Sequence, residues 1–176
     1  MKVLVVYSSK TGNTRRVAEE IAGALGVPAI PVEEKPNAAD YDLVIAGYWV
    51  DRGAVDAKMK AYLGELAGGR VAVFATLGAR ADSEHAAKSL EAGKALAGAG
   101  GAQVIGGFIC QGKVDPALVE MMKGMFPAGH PHAMTPERLA GIAEAAEHPN
   151  AEDLRAARDY FTALVEAERD RVAKES

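Results

Sequence analysis

The chain has 176 residues, enough for one buried core and short for two. Alanine fills 35 positions and aromatic residues only 10, with 25% charged residues and with 19 Gly and 8 Pro spread along the chain. That make-up excludes collagen-like, low-complexity and strongly disordered classes. The net charge of -4 is unevenly placed, since residues 1–136 carry 14 basic and 14 acidic side chains while residues 137–176 carry 6 and 10. Neither part has a basic excess, so no nucleic-acid partner is expected. No apolar run approaches bilayer length, and Val3 to Tyr7 is too short for a signal-peptide core, so no membrane partner is expected and the location reads as cytoplasmic. The lone Cys110 rules out an internal disulfide, fits a reducing compartment and reads as a small buried hydrophobe.

In chain order, Val3 to Tyr7 is a β-branched strand, followed by turn formers and a helix with Val17, Ile21, Ala24 and Leu25 on one face, ended by Gly26. Val27 to Val32 is a second strand, confined to a sheet edge by Pro28 and Pro31. A third strand, Leu43 to Ala46, ends at Gly47, and a helix from about Asp56 to Leu66 follows. Val71 to Thr76 is the fourth strand, a helix capped by Asp82 or Ser83 runs to about Ala97, and Gln103 to Cys110 is the fifth strand. Near-continuous apolar strands alternating with helices predict an α/β fold with a parallel sheet covered on both faces. Beyond Gly112 come a Met-rich helix over Pro116 to Met125, a Pro/Gly/His loop, a helix opened by Thr135-Pro136-Glu137, a break at His148-Pro149-Asn150 and a last helix to about Ala173. That helix carries a buried stripe of Leu154, Ala157, Phe161, Leu164 and Val165.

The most informative stretch is the turn after the first strand, Ser8-Ser9-Lys10-Thr11-Gly12-Asn13-Thr14. A loop that wraps onto a helix start aims backbone N–H groups at one centre, and the hydroxyls of Ser9, Thr11 and Thr14 add donors, which makes an anion site. Arg15 and Arg16 stand in the first helical turn, where the helix dipole disfavours cations unless an anion lies in front. An ordinary capped helix start remains the alternative. The turn is neither a Walker A loop nor the three-glycine dinucleotide fingerprint.

Ser9-Lys10-Thr11-Gly12-Asn13-Thr14 between a first strand and its helix resembles the phosphate loop of the flavodoxin family. The resemblance implies a doubly wound five-stranded parallel sheet in the order 2-1-3-4-5, with a C-terminal helical extension. It also implies FMN as cofactor, its phosphate held by Ser9, Thr11, Gly12, Asn13 and Thr14, with Lys10 in the variable slot and Ser8 opening the turn. The strand-two edge inferred from Pro28 and Pro31 agrees with that order. Gly47-Tyr48-Trp49, Phe108 to Lys113 and His130 to Arg138 are further similar to a subgroup of bacterial flavodoxin-like proteins, some of whose members are associated with bilirubin reductase. The resemblance implies one domain over 1–176, with a core of about 1–126 and an extension of about 127–176.

In that fold the flavin ring lies at the loops after strands one, three and four. The loop after strand three offers Tyr48, Trp49, Val50, Arg52 and Gly53, and Trp49, the single tryptophan, is the candidate wall. The loop after strand four offers Thr76, Leu77, Gly78 and Arg80 but no aromatic. Arg80, with Arg52, is expected to lie near the ring and favour its anionic reduced form, with solvated surface arginines as the alternative. His130 and His132 form a His-x-His pair without a third ligand at metal spacing, so no metal is expected. Met121, Met122 and Met125 read as packing or an adaptable contact surface.

These readings converge on an electron-transfer protein that takes electrons from a reductase and passes them to an acceptor enzyme. The acidic last forty residues are then the place for a basic partner. An NAD(P)H-dependent FMN or quinone oxidoreductase of the same fold, and a flavin-free accessory module, stay open at this point.

Overall fold

The apolar run Val3–Tyr7 forms β1, the turn after it leads into α1 (Asn13–Leu25), and β2 (Ala29–Pro31) follows, in a computed structural model that describes residues 1–131 and 133–175. The chain continues through β3 (Leu43–Asp51), β4 (Ala54–Val55), α2 (Ala57–Gly64), β5 (Arg70–Leu77), α3 (Glu84–Gly98) and β6 (Gln103–Gln111). It ends with α4 (Pro116–Met125), α5 (Pro136–Ala145) and α6 (Ala151–Glu175). Five strands lie parallel in the order β2-β1-β3-β5-β6, which is the doubly wound order with β5 and β6 as its fourth and fifth parallel strands. Pro31 pairs beside Tyr7 on the edge strand β2, where a missing N–H costs no ladder bond on the open side.

The third strand is longer than its sequence suggests. It runs through Gly47 to Asp51, turns at Arg52 (φ 51°) and Gly53 (φ 82°), and returns as β4, which makes a sixth strand antiparallel to β3. Two successive positive φ values match the right-handed twist of a two-residue hairpin. Tyr48, Trp49 and Val50 are therefore strand residues and not loop residues, and so are Thr76 and Leu77 at the end of β5.

Alternation along each strand sends side chains to two cores. Leu4, Val6, Val44, Ala46, Tyr48, Val71 and Val73 pack with Met59 and Leu63 of α2 and Ala97 of α3. Val3, Val5, Leu43, Ile45, Ala72 and Phe74 pack with Val17 and Ile21 of α1 and with Ala157, Phe161 and Val165 of α6. The last helix of the C-terminal extension thus covers the sheet itself: the Phe161 ring meets Phe74 edge-on at 5.9 Å between centroids. Helix α6, in the part expected as an extension of about 127–176, supplies core residues. The part outside both layers is α4 and α5, which bury only Val119 and Ala145.

Between β2 and β3 the crossover contains two 3-10 turns, Val32–Glu34 and Ala38–Asp40, and no α-helix. A cavity of about 910 Å³ opens beside it, walled by Val32, Tyr41, Tyr62 and Leu66 and reaching Val44 and Val71 at the amino ends of β3 and β5. It lies away from the loop cluster at the carboxyl ends of the strands. No helix among the described residues is long and apolar enough to cross a membrane.

Candidate functional site

The carboxyl ends of the parallel strands gather four segments: the turn after β1, the β3–β4 hairpin, the turn after β5 and the turn after β6. In open α/β sheets this end is where ligands bind. The first segment is held from within. Ser9 Oγ accepts from the Gly12 N–H at 3.1 Å, and Gly12 takes φ 95°, a left-handed conformation that glycine adopts without steric cost, to aim the chain into α1.

Helix α1 then begins with no side-chain cap and no acidic residue in its first turn. Its first intrahelical bond of this turn is Arg16 N–H to Gly12 O at 3.0 Å, so the N–H groups of Asn13, Thr14 and Arg15 face forward without an intrahelical acceptor. Two arginines follow, of which Arg15 pairs with Glu19 at 2.7 Å on the exposed face. A helix start of this kind can receive an anion or water.

The hydroxyls divide into two groups. Ser9 and Thr11 stay at the loop surface, with Thr11 Oγ1 accepting from Asn13 Nδ2 at 3.3 Å. Thr14 is buried, and its hydroxyl lies 2.9 Å from that of Thr76, so it ties α1 to β5. Ser8 is also buried: its hydroxyl donates to Asp56 Oδ1 at 2.7 Å, and its N–H donates to Gly47 O at 2.8 Å. Asp56 caps α2 by accepting from the N–H groups of Lys58 and Met59, and its buried Oδ2 has no hydrogen-bond partner among the described residues.

Tyr48 and Trp49, adjacent in β3, point to opposite faces. The Tyr48 ring is fully buried and its hydroxyl donates to Ser89 O of α3 at 2.9 Å; burial pushes this phenol well above its usual range, with Glu91 adding to it. Tyr48 is thus a core residue whose side chain is not available to a ligand. Trp49 is half-buried, and Lys10 Nζ stands 5.4 Å from its ring centroid, within cation–π range. Lys10 and Trp49 therefore join the turn after β1 to the hairpin.

Arg52 is exposed at the hairpin tip, and Gly53 approaches His85 of α3. Arg80 is drawn elsewhere: its guanidinium pairs with Asp82 and with Glu144 of α5, each at 3.1 Å, and it lies largely in solvent. Arg80 holds the Asp82 carboxyl below its usual range through a hydrogen bond and its charge. Arg80, expected near a flavin ring, is thus engaged by two carboxylates, Asp82 of its own turn and Glu144 of α5. Gly78 is exposed, and its carbonyl accepts from Gln111 Nε2 at 3.3 Å.

The sequence profile of the Flavodoxin domain matches residues 4–162. The chain belongs to the flavodoxin domain family. It is 30% identical over 160 residues to the flavodoxin-like domain-containing protein BilS of Clostridioides difficile (strain CD3), covering 88% of this chain and 90% of that protein. Its fold is similar to that of oxidised Flavodoxin 2 from Bacillus cereus, with a TM-score of 0.58 at 18% identity over 95% of this chain and 99% of that one. It is also similar to general stress protein 14 of Treponema denticola in complex with FMN, with a TM-score of 0.52 at 14% identity over 93% and 99%.

Two supports of this flavodoxin-domain site escaped the sequence reading. Asp56, which anchors Ser8, was legible only as the approximate start of a helix. The turn after β6 was the other: Asn13 Nδ2 donates to Lys113 O at 2.8 Å, and Lys113 N–H donates to His148 O at 2.8 Å, with His148 Nδ1 set 2.6 Å from Asp153 Oδ2. A cavity of about 240 Å³ lies between Thr11, Asn13 and residues Lys113 to Pro116. His132 lies outside the described residues, so the His130/His132 pair is not seen together; the His130 ring stacks on Phe126 at 4.7 Å.

Proposed function

We propose that this flavodoxin-domain chain binds FMN, with the phosphate in the Ser8–Thr14 turn and the ring against Trp49, and carries electrons from a reductase to an acceptor enzyme. The observation that carries the reading is the start of α1, where uncapped N–H groups face forward behind a hydroxyl-rich turn and beside the single tryptophan. Family membership supports the same cofactor. Bound FMN supplies the capacity to take up and release electrons; the protein holds and shields it.

In this reading the N–H groups of Asn13, Thr14 and Arg15 and the hydroxyls of Ser9 and Thr11 donate to the phosphate, and Gly12 provides the bend. Ser8 and Thr14 act from behind, through Asp56 and Thr76, by fixing the two ends of the turn. Trp49 and Lys10 face the ring, Val50, Arg52 and Gly53 shape the hairpin beside it, and Thr76, Leu77 and Gly78 border the opposite side. Tyr48 contributes by packing β3 against α3. The unity of residues 1–176 as one domain, and a cytoplasmic location, belong to the proposal; cores on both faces of one sheet support the first.

The test is the absorption spectrum of the purified protein, followed by titration with FMN and a steady-state assay with NAD(P)H and a quinone. Flavin uptake with NAD(P)H oxidation only when a reductase is added fits a carrier. Turnover without a reductase overturns the carrier role in favour of an oxidoreductase, and absence of any flavin uptake overturns the cofactor.

A further inference from the structure

We infer that Lys10 is the cation that sets the reduction potential of this site, an inference that rests on the FMN reading. Six basic side chains, Lys10, Arg15, Arg16, Arg52, Arg80 and Lys113, stand in or next to the segments at this end of the sheet, and Arg16 and Lys113 are exposed. Arg15 is neutralised by Glu19, and Arg80 by Asp82 and Glu144. Arg52 is at the exposed hairpin tip. Lys10 alone of the six has a cation–π contact with the Trp49 ring among the described residues, with its ammonium 5.4 Å from the centroid. Asp56, the cap of α2, is buried behind Ser8 and accepts from its hydroxyl and from the N–H groups of Lys58 and Met59.

The contact with Trp49 explains why the ammonium stays there. The ring's electron-rich face attracts a cation. A ring that stacks on Trp49 then has the Lys10 positive charge nearby. When the bound flavin takes up two electrons from the reductase and one proton from water, it carries one more negative charge than before. A neighbouring cation favours that state over the oxidised one and raises the potential. Because Lys10 is exposed, salt weakens the effect. The variable slot of the phosphate loop, not the arginine after β5, is then where this chain tunes its flavin.

The experiment compares the unsubstituted protein with Lys10→Met, which keeps the stem and removes the charge, and Lys10→Arg, which keeps the charge. FMN dissociation constants and two-electron midpoint potentials are measured at low and high salt. In Lys10→Met, reduced FMN is expected to lose about tenfold more affinity than oxidised FMN, which lowers the midpoint by about 30 mV for a two-electron couple. The difference should shrink at high salt, and Lys10→Arg should restore the potential. Equal potentials in Lys10→Met and the unsubstituted protein, both with FMN bound, overturn the role of Lys10 alone. Failure of the unsubstituted protein to bind FMN overturns the cofactor reading and this inference with it.

Discussion

The hydroxyls of Thr14 and Thr76 meet at 2.9 Å with both residues buried, joining the first turn of α1 to the end of β5 across 62 positions of sequence. Replacing either one with valine leaves the other hydroxyl buried without a partner, at a cost of about 1 to 3 kcal/mol. The double replacement removes both polar groups and is expected to cost less than the sum of the two. Urea unfolding of the three variants, read as a double-mutant cycle, checks this; strict additivity would show that the two hydroxyls are not coupled.

Ser8 and Asp56 form the second tie. Asp56→Ala removes the acceptor for Ser8 and the cap of α2 together, and cap loss alone costs about 0.5 to 2 kcal/mol. Asp56→Asn retains a carbonyl oxygen for both tasks and should cost less. Thermal or urea denaturation ranks them, with Asp56→Ala below Asp56→Asn below the unsubstituted protein.

Gly47 continues β3 and does not end it, because its face of the strand is filled by the buried ring of Phe74. A Cβ at position 47 would collide with three carbons of that ring. Gly47→Ala is expected to destabilise by about 1 to 3 kcal/mol, as overpacking does, and a matching Phe74→Leu change should recover part of the loss. Unfolding midpoints of the single and double variants test it.

Cys110 is buried, and burial pushes its thiol up to about 12, with the Asp153 charge adding to the rise and Arg16 opposing it. Since the thiolate is the reactive form, the folded protein should show almost no reaction with a disulfide reagent at pH 8 and full reaction of one thiol in denaturant. Rapid labelling of the folded state would contradict the burial.

The strands and helices were legible because apolar runs and turn residues alternate cleanly, and Pro28 and Pro31 placed β2 at the edge before the order was known. The turn from β1 into α1, with its left-handed Gly12, was legible from its residue types. The hairpin was not, because Gly47 reads locally as a stop and its close contact with Phe74 is a tertiary fact. Tyr48 and Trp49 were read together as loop residues, although strand alternation puts them on opposite faces once β3 extends to Asp51. The destination of Arg80 depended on Glu144, 64 positions away in a helix whose docking no local pattern encodes. Asp56 became important only when the fold set it against Ser8.

The central claim is that the start of α1 holds a phosphate, and it is tested most directly by comparing the affinities of FMN and riboflavin, which share the ring and differ in that group. Two hydrogen bonds to a charged group, at about 1.5 kcal/mol each, predict that FMN binds at least about a hundredfold more tightly than riboflavin. Equal affinities for the two ligands would contradict the account.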